Sequence, residues 1–172
     1  MLFEEGKAIL QTLPESLSYL VIGSFGLQLV LPAALAGRPP ADIDLLLPDD
    51  PEVVGRLVQF MAEQGFSCQS WSDVVTAQTP TSVYVGRNYV RFVRGPILID
   101  ATYHNPYYSF AEAWQLRQEV DRIHVASPRH TAHLMKVRGL PKDMERVRLV
   151  ARLTNDPQLL DIPTLGSDSG KK

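Results

Sequence analysis

Apolar and polar positions change period along the chain, and each change marks an element. Leu2, Phe3, Ile9, Leu10 and Leu13 stand among charged residues and predict an amphipathic helix stopped by Pro14. "SYLVIG", Ser18 to Gly23, is rich in β-branched, aromatic and other apolar residues and predicts a buried strand. "SFGLQLVLPAAL" then predicts a helix with Ser24 as N-cap, which Pro32 either kinks or shortens. "GRPPA" reads as a loop and "DIDLLL" as a strand. "DDPEVVGRLVQFMAEQG" reads as a helix with acidic residues at its positive end and Gly65 at its stop.

Three extended segments follow: "SVYVG", "NYVRFVRG" and "PILIDATY", with "GRN" as one turn and Gly95-Pro96 as another break. Next come a helix around Phe110 to Val120 and a short strand, "RIHVAS". Ser127-Pro128 is a helix start, an N-cap followed by proline at the first helical position. It opens two helices, roughly Arg129 to Arg138 and Lys142 to Leu153. The expected fold class is α+β, with α/β-like order at the N-terminus and a mixed β-sheet on which helices pack. Residues 1–163 are expected to form one domain whose last helices span about 127–153, followed by a flexible tail over 164–172.

Composition narrows the classes. The 172 residues are 45% hydrophobic with a formal net charge of -2, which suits a packed domain and gives no global attraction to polyanions. Cys68 is the single cysteine, so an internal disulfide framework and a cysteine-rich zinc site are excluded, and a cytoplasmic location is expected. Leu17 to Leu35 approaches membrane length, but Ser18, Gly23, Ser24, Gln28 and Pro32 interrupt it. The acidic "MLFEEGKAIL" lacks the basic start of an export signal, so no membrane association is expected.

The chemistry lies in the acidic residues of otherwise apolar strands. Side chains alternate along a strand, so Asp42 and Asp44 share a face. Two carboxylates about 4 Å apart repel by roughly 4 kcal/mol at an effective dielectric near 20, so such a pair shares a proton or binds a cation. Asp100, in "PILIDATY", is a candidate third ligand. Three carboxylates form an all-oxygen site, which suits Mg²⁺ or Mn²⁺. D-x-D alone is weak evidence, since aspartates often cap strands. Gly23-Ser24 adds context: a strand-to-helix turn offers backbone N–H groups, a hydroxyl and a positive helix end to a phosphate, although the same turn also serves as a plain helix cap.

Together, Gly23-Ser24, Asp42-Ile43-Asp44 and Asp100 resemble the nucleotidyltransferase superfamily that includes DNA polymerase beta, whose signature is hG[GS], Dh[DE]h and a later carboxylate. "GRPPADIDLLL" and "VASPRHTAHLMKVRGLPKDMERVRLV" are more closely similar to small bacterial AbiEii-like nucleotidyltransferases of abortive-infection and toxin-antitoxin systems. Arg38, Lys136, Lys142 and Asp143 carry that likeness, while Pro40, Leu140 and Arg146 depart from the usual residues.

The resemblance implies transfer of a nucleoside monophosphate from an NTP to an acceptor hydroxyl, with release of pyrophosphate. Asp42, Asp44 and Asp100 would be the catalytic and metal-binding residues; Gly23, Ser24, Arg38, Lys136 and Lys142 would bind the nucleotide. RNA or tRNA, a protein side chain and a small molecule such as an antibiotic all remain open as acceptor, and an antitoxin partner is implied. A nucleotide-binding or interaction module without turnover is the alternative from another class.

The remaining polar and aromatic residues have weaker signals. His130 and His133 share a helix face without a metal-ligand motif, and His104 and His124 are isolated. Arg91 alternates with apolar neighbours and suits either a groove for nucleotide or a solvent-facing strand; Arg87 and Arg94 flank it. Trp71, Trp114, Tyr107 and Tyr108 suit base stacking or packing.

Overall fold

The computed structural model describes residues 3–35, 37–103 and 109–164, so His104, Tyr107, Tyr108 and the tail beyond Thr164 lie outside the described residues. The chain begins with helix α1 (Phe3–Gln11), strand β1 (Leu20–Ile22) and helix α2 (Gly23–Val30). Strand β2 (Ile43–Leu46) and helix α3 (Pro51–Glu63) follow. Four strands come next: β3 (Ser67–Ser70), β4 (Asp73–Val75), β5 (Tyr89–Arg94) and β6 (Ile97–Thr102). Helix α4 (Phe110–Gln115) leads to the hairpin β7 (Gln118–Val120) and β8 (Ile123–Val125), and helices α5 (Pro128–Arg138) and α6 (Pro141–Leu153) follow.

Among the described residues the strands form one mixed sheet in the order β4-β3-β5-β6-β2-β1-β8-β7. The β1/β8 and β2/β6 pairs are parallel, and the other pairs are antiparallel. Alternation assigns the faces. Ile43 and Leu45, Val90 and Phe92, and Ile99 and Ala101 join one core with Ile9 and Leu10 of α1 and Leu57 and Met61 of α3. The opposite residues of the same strands face the other way. There one register row runs from Val74 through Gln69, Arg91, Asp100 and Asp44 to Ile22, crossing six strands. Ala113 of α4 packs on Leu20 and Leu46 at one end of that face, while α2, α5 and α6 share a second core through Leu27, Met135, Val147 and Val150.

Several elements follow the sequence pattern closely. Pro32 marks a shortened helix: α2 stops at Val30 and Pro32–Leu35 forms a single 3₁₀ turn. Ser127 caps α5 by accepting from the His130 N–H, Pro128 takes the first turn, and Gly139 closes the helix at a φ of 69°.

Other segments differ for identifiable reasons. Ser24 is not the N-cap of α2; the helix begins one residue earlier, Ile22 takes the cap position without a side-chain bond, and Ser24 is buried. "SVYVG" is a 3₁₀ turn at Thr81–Tyr84, packed beside α3 with Tyr84 driven into the core. The helix expected to reach Val120 ends at Gln115, because Gln118–Val120 turns back onto β8 through Asp121 and Arg122, both at positive φ. Strands β3 and β4 have no counterpart in the sequence reading, since "SCQS" alternates in burial with only one apolar residue. No helix among the described residues is long and apolar enough to cross a membrane.

Candidate active site

Asp44 is held by its register. On β2 it stands opposite Ile22 of β1 and beside Asp100 of β6, so two carboxylates occupy neighbouring strands of one face. Asp42 immediately precedes β2 and reaches the same place: one ligand oxygen from each of the three lies within 4.8 Å of the others. Among the described residues this is the cluster close enough for three side chains to share a cation. Burial, followed by the neighbouring Asp42, pushes the Asp44 carboxyl up to about 7, against the opposing charge of Arg138. Three acidic oxygens that crowd one another in this way, with all-oxygen chemistry, fit Mg²⁺ or Mn²⁺.

Gly23 closes the strand-to-helix turn against this cluster. Its φ is 66°, and a Cβ at that position would collide with the Asp44 carboxylate. Glycine is therefore required both for backbone conformation and for approach. The turn brings the first residue of α2 against the acidic strand.

Asp100 is engaged on its far side. Arg91, its register partner on β5, donates through Nε to Oδ1 at 2.8 Å and through Nη2 to Oδ2 at 2.9 Å. Tyr89 donates its hydroxyl to the same Oδ1 at 2.6 Å. That bidentate pair raises the affinity of Arg91 for its proton, and burial followed by the Asp100 bond raises that of Tyr89. Cross-strand pairing thus supplies the basic partner that the neighbours of Asp100 in sequence do not.

A cavity of about 260 Å³ opens over Asp44 and Asp100 beneath α5. Thr131, Leu134, Met135 and Arg138 line it at helical spacing, opposite Ile22, Gly23 and Thr102. The Thr131 hydroxyl is buried and has no hydrogen-bond partner among the described residues. Arg138 is anchored behind the cavity: its Nη2 and Nε donate to Oδ2 of buried Asp143 at 2.6 and 3.2 Å, and Arg146 approaches the other oxygen at 3.6 Å.

Comparison with solved structures gives the crystal structure of the Megavirus polyadenylate synthase at a TM-score of 0.52 and 11% identity, covering 87% of this chain and 32% of that one. The chain has a nucleotidyltransferase fold. It spans about a third of the polyadenylate synthase's length. No protein-family model matches the chain, and no curated protein matches it by sequence.

On this nucleotidyltransferase fold the sequence candidates separate into two groups. Asp42, Asp44, Asp100 and Gly23 converge on one place. Ser24 is buried in α2 behind Gly23 and is not part of the cavity wall. Lys136 is half-buried on α5, off the face that lines the cavity. Arg38 pairs with Glu145 at 3.1 Å on the surface, and Lys142 is exposed. Asp143 lies in the first turn of α6, but its partners are Arg138 and Arg146 rather than Lys142. His124 packs among the rings of Tyr19 and Trp114, and His130 meets the Ser127 hydroxyl at 2.9 Å. Tyr89, Thr131 and Arg138 escaped the sequence reading; the signal available for the last two was their common face on α5, which acquires meaning only once the face is known to cover Asp44.

Proposed function

We propose that the protein is a divalent-cation-dependent nucleotidyltransferase that moves a nucleoside monophosphate from an NTP to an acceptor hydroxyl. The observation that carries this reading is the convergence of Asp42, Asp44 and Asp100 against the Gly23 turn. Asp42 and Asp44 would hold the nucleotide-associated Mg²⁺ or Mn²⁺, and Asp100 would complete the cation site. The cation would supply charge neutralisation for the phosphates and for the leaving pyrophosphate.

Within the chain, the first backbone N–H groups of α2, that of Ser24 among them, would meet the phosphates at a positive helix end, while the Ser24 side chain stays buried. Arg138 is the cation that the cavity wall presents, with its orientation fixed by buried Asp143. Lys136, Lys142 and Arg38, placed by family likeness, would act from outside that wall. The acceptor oxygen would attack the α-phosphorus and give up its proton to solvent water, because three of the Asp100 lone pairs are held by Tyr89 and Arg91 and the fourth would serve the cation. The bond to the β-phosphate oxygen breaks, and pyrophosphate leaves.

The AbiEii-like character of "GRPPADIDLLL" and of the segment from Val125 supports a toxin-like member with an antitoxin partner, acting in the cytoplasm on RNA, a protein side chain or a small molecule. Residues 1–163 would act as one unit, since the site draws on β1, β2, β6 and α5. One observation favours the second reading, a nucleotide-binding module without turnover: the bidentate hold of Arg91 on Asp100. Incubation with α-labelled NTPs, Mg²⁺ or Mn²⁺, and cellular RNA, protein or aminoglycosides tests both, beside an Asp42→Ala/Asp44→Ala control. The enzyme reading expects cation-dependent label transfer that the control lacks. Nucleotide binding without transfer supports the module, and binding unchanged in the control defeats the site itself.

A further inference from the structure

We propose that Arg91 and Tyr89 are positioning residues that limit the nucleotide-free site to one divalent cation. This rests on the cation reading above and adds a stoichiometry to it. Asp100 Oδ1 already accepts two hydrogen bonds, from the Tyr89 hydroxyl at 2.6 Å and Arg91 Nε at 2.8 Å. Oδ2 accepts a third, from Arg91 Nη2 at 2.9 Å. A carboxylate offers about four lone-pair sites, so Asp100 retains one, on Oδ2. It can ligate a cation through a single oxygen and no more.

Charge leads to the same number. Once a bound ion has displaced the Asp44 proton, the three carboxylates carry three negative charges; the Arg91 guanidinium, always protonated, removes one, and Arg138 is already paired with Asp143. The remaining two equal the charge of one divalent ion. A second ion would have to share Asp100 with a guanidinium already held by two parallel bonds, the strongest geometry open to that pair. The arrangement is built into the sheet: Arg91 and Asp100 are register partners on β5 and β6, and the Trp71 ring lies 6.1 Å from that of Tyr89.

The test is a titration of the full chain with Mn²⁺ in the absence of nucleotide, reading free ion by electron paramagnetic resonance. Wild type should bind one Mn²⁺ per chain, and Arg91→Gln should bind two, with the fold checked by circular dichroism. A second measurement needs no variant. In protein carrying ¹⁵N-arginine, the Arg91 Nε–H resonance, slowed in exchange by its bond to Asp100, should persist when Mg²⁺ saturates the site. Two ions in wild type, an unchanged single ion in folded Arg91→Gln, or loss of the Nε–H resonance on Mg²⁺ binding would each overturn the limit while leaving the cation site standing. No Mn²⁺ bound by wild type would overturn the cation reading and the limit together.

Discussion

Gly23 and Asp44 occupy adjoining space so closely that a Cβ on the first would overlap the carboxylate of the second. The contact joins the strand-to-helix turn to the acidic strand and sets Asp44 against the start of α2. Gly23→Ala should therefore cost about 1–2 kcal/mol from its left-handed backbone alone, plus the displacement of Asp44. Thermal unfolding should show a lowered Tm, and Mn²⁺ titration a weakened site. Combining it with Asp44→Ala should recover the steric part, so the double variant should be less destabilised than the sum of the two singles.

Asp44 also predicts a pH dependence. Its carboxyl rises from about 3.8 to about 7 on folding, so the folded state holds a proton that the unfolded chain has released. The contribution of Asp44 to the stability of the cation-free protein should be fully present below about pH 4, fall as pH rises towards about 7, and be gone above it. The loss should be on the order of a few kcal/mol, and Asp44→Asn should abolish it. Urea unfolding at pH 5, 6, 7 and 8 measures this slope. Mg²⁺ should restore stability more at pH 8 than at pH 5, with proton release visible by calorimetry in buffers of different ionisation enthalpy.

Buried Asp143 holds Arg138 against the cavity and neutralises part of Arg146. Asp143→Ala leaves the largely buried Arg146 without its carboxylate and should cost about 3 kcal/mol, the low end for breaking a buried pair. Arg138→Ala should cost less, because its side chain is half-exposed and Arg146 remains beside the aspartate. Chemical denaturation of the two variants checks the order.

Arg138 and Lys136 offer a direct comparison for nucleotide binding. Arg138 lines the cavity with Asp44, whereas Lys136 projects from another face of α5. Arg138→Ala should weaken NTP affinity about tenfold or more, the scale of one charged hydrogen bond to phosphate. Lys136→Ala should change it by less than about threefold. Equilibrium binding of a fluorescent NTP with Mg²⁺ checks the ranking, and the opposite ranking would return the phosphate-holding role to Lys136.

The metal-ligand candidates were legible because their signals are local. Asp42 and Asp44 announce a shared face through a two-residue spacing, and Gly23 announces a tight turn before a helix. Arg91 could be singled out but not assigned, because its partner Asp100 lies on the neighbouring strand β6, in a register the linear sequence does not print. Thr131 and Arg138 depend on which face of α5 covers β2, a tertiary fact. The missed strands have physical explanations too: β3 is mostly polar, and the β7–β8 hairpin turns on Asp121-Arg122 instead of the Asn-Gly or Asp-Gly pair that marks such turns. Helix α5 was legible almost to the residue, since Ser127, Pro128 and Gly139 satisfy its termini through local chemistry.

Asp44 of β2, Asp42 just before it and Asp100 of neighbouring β6 should together form one cation site for an incoming nucleotide. Anomalous diffraction from crystals grown with Mn²⁺ and a non-hydrolysable NTP tests it most directly. The account predicts a Mn²⁺ peak at bonding distance from Asp42 and Asp44, with Asp100 Oδ2 beside it and the triphosphate at the Gly23 turn. A triphosphate bound elsewhere, or Mn²⁺ absent from these carboxylates while nucleotide is present, would contradict it.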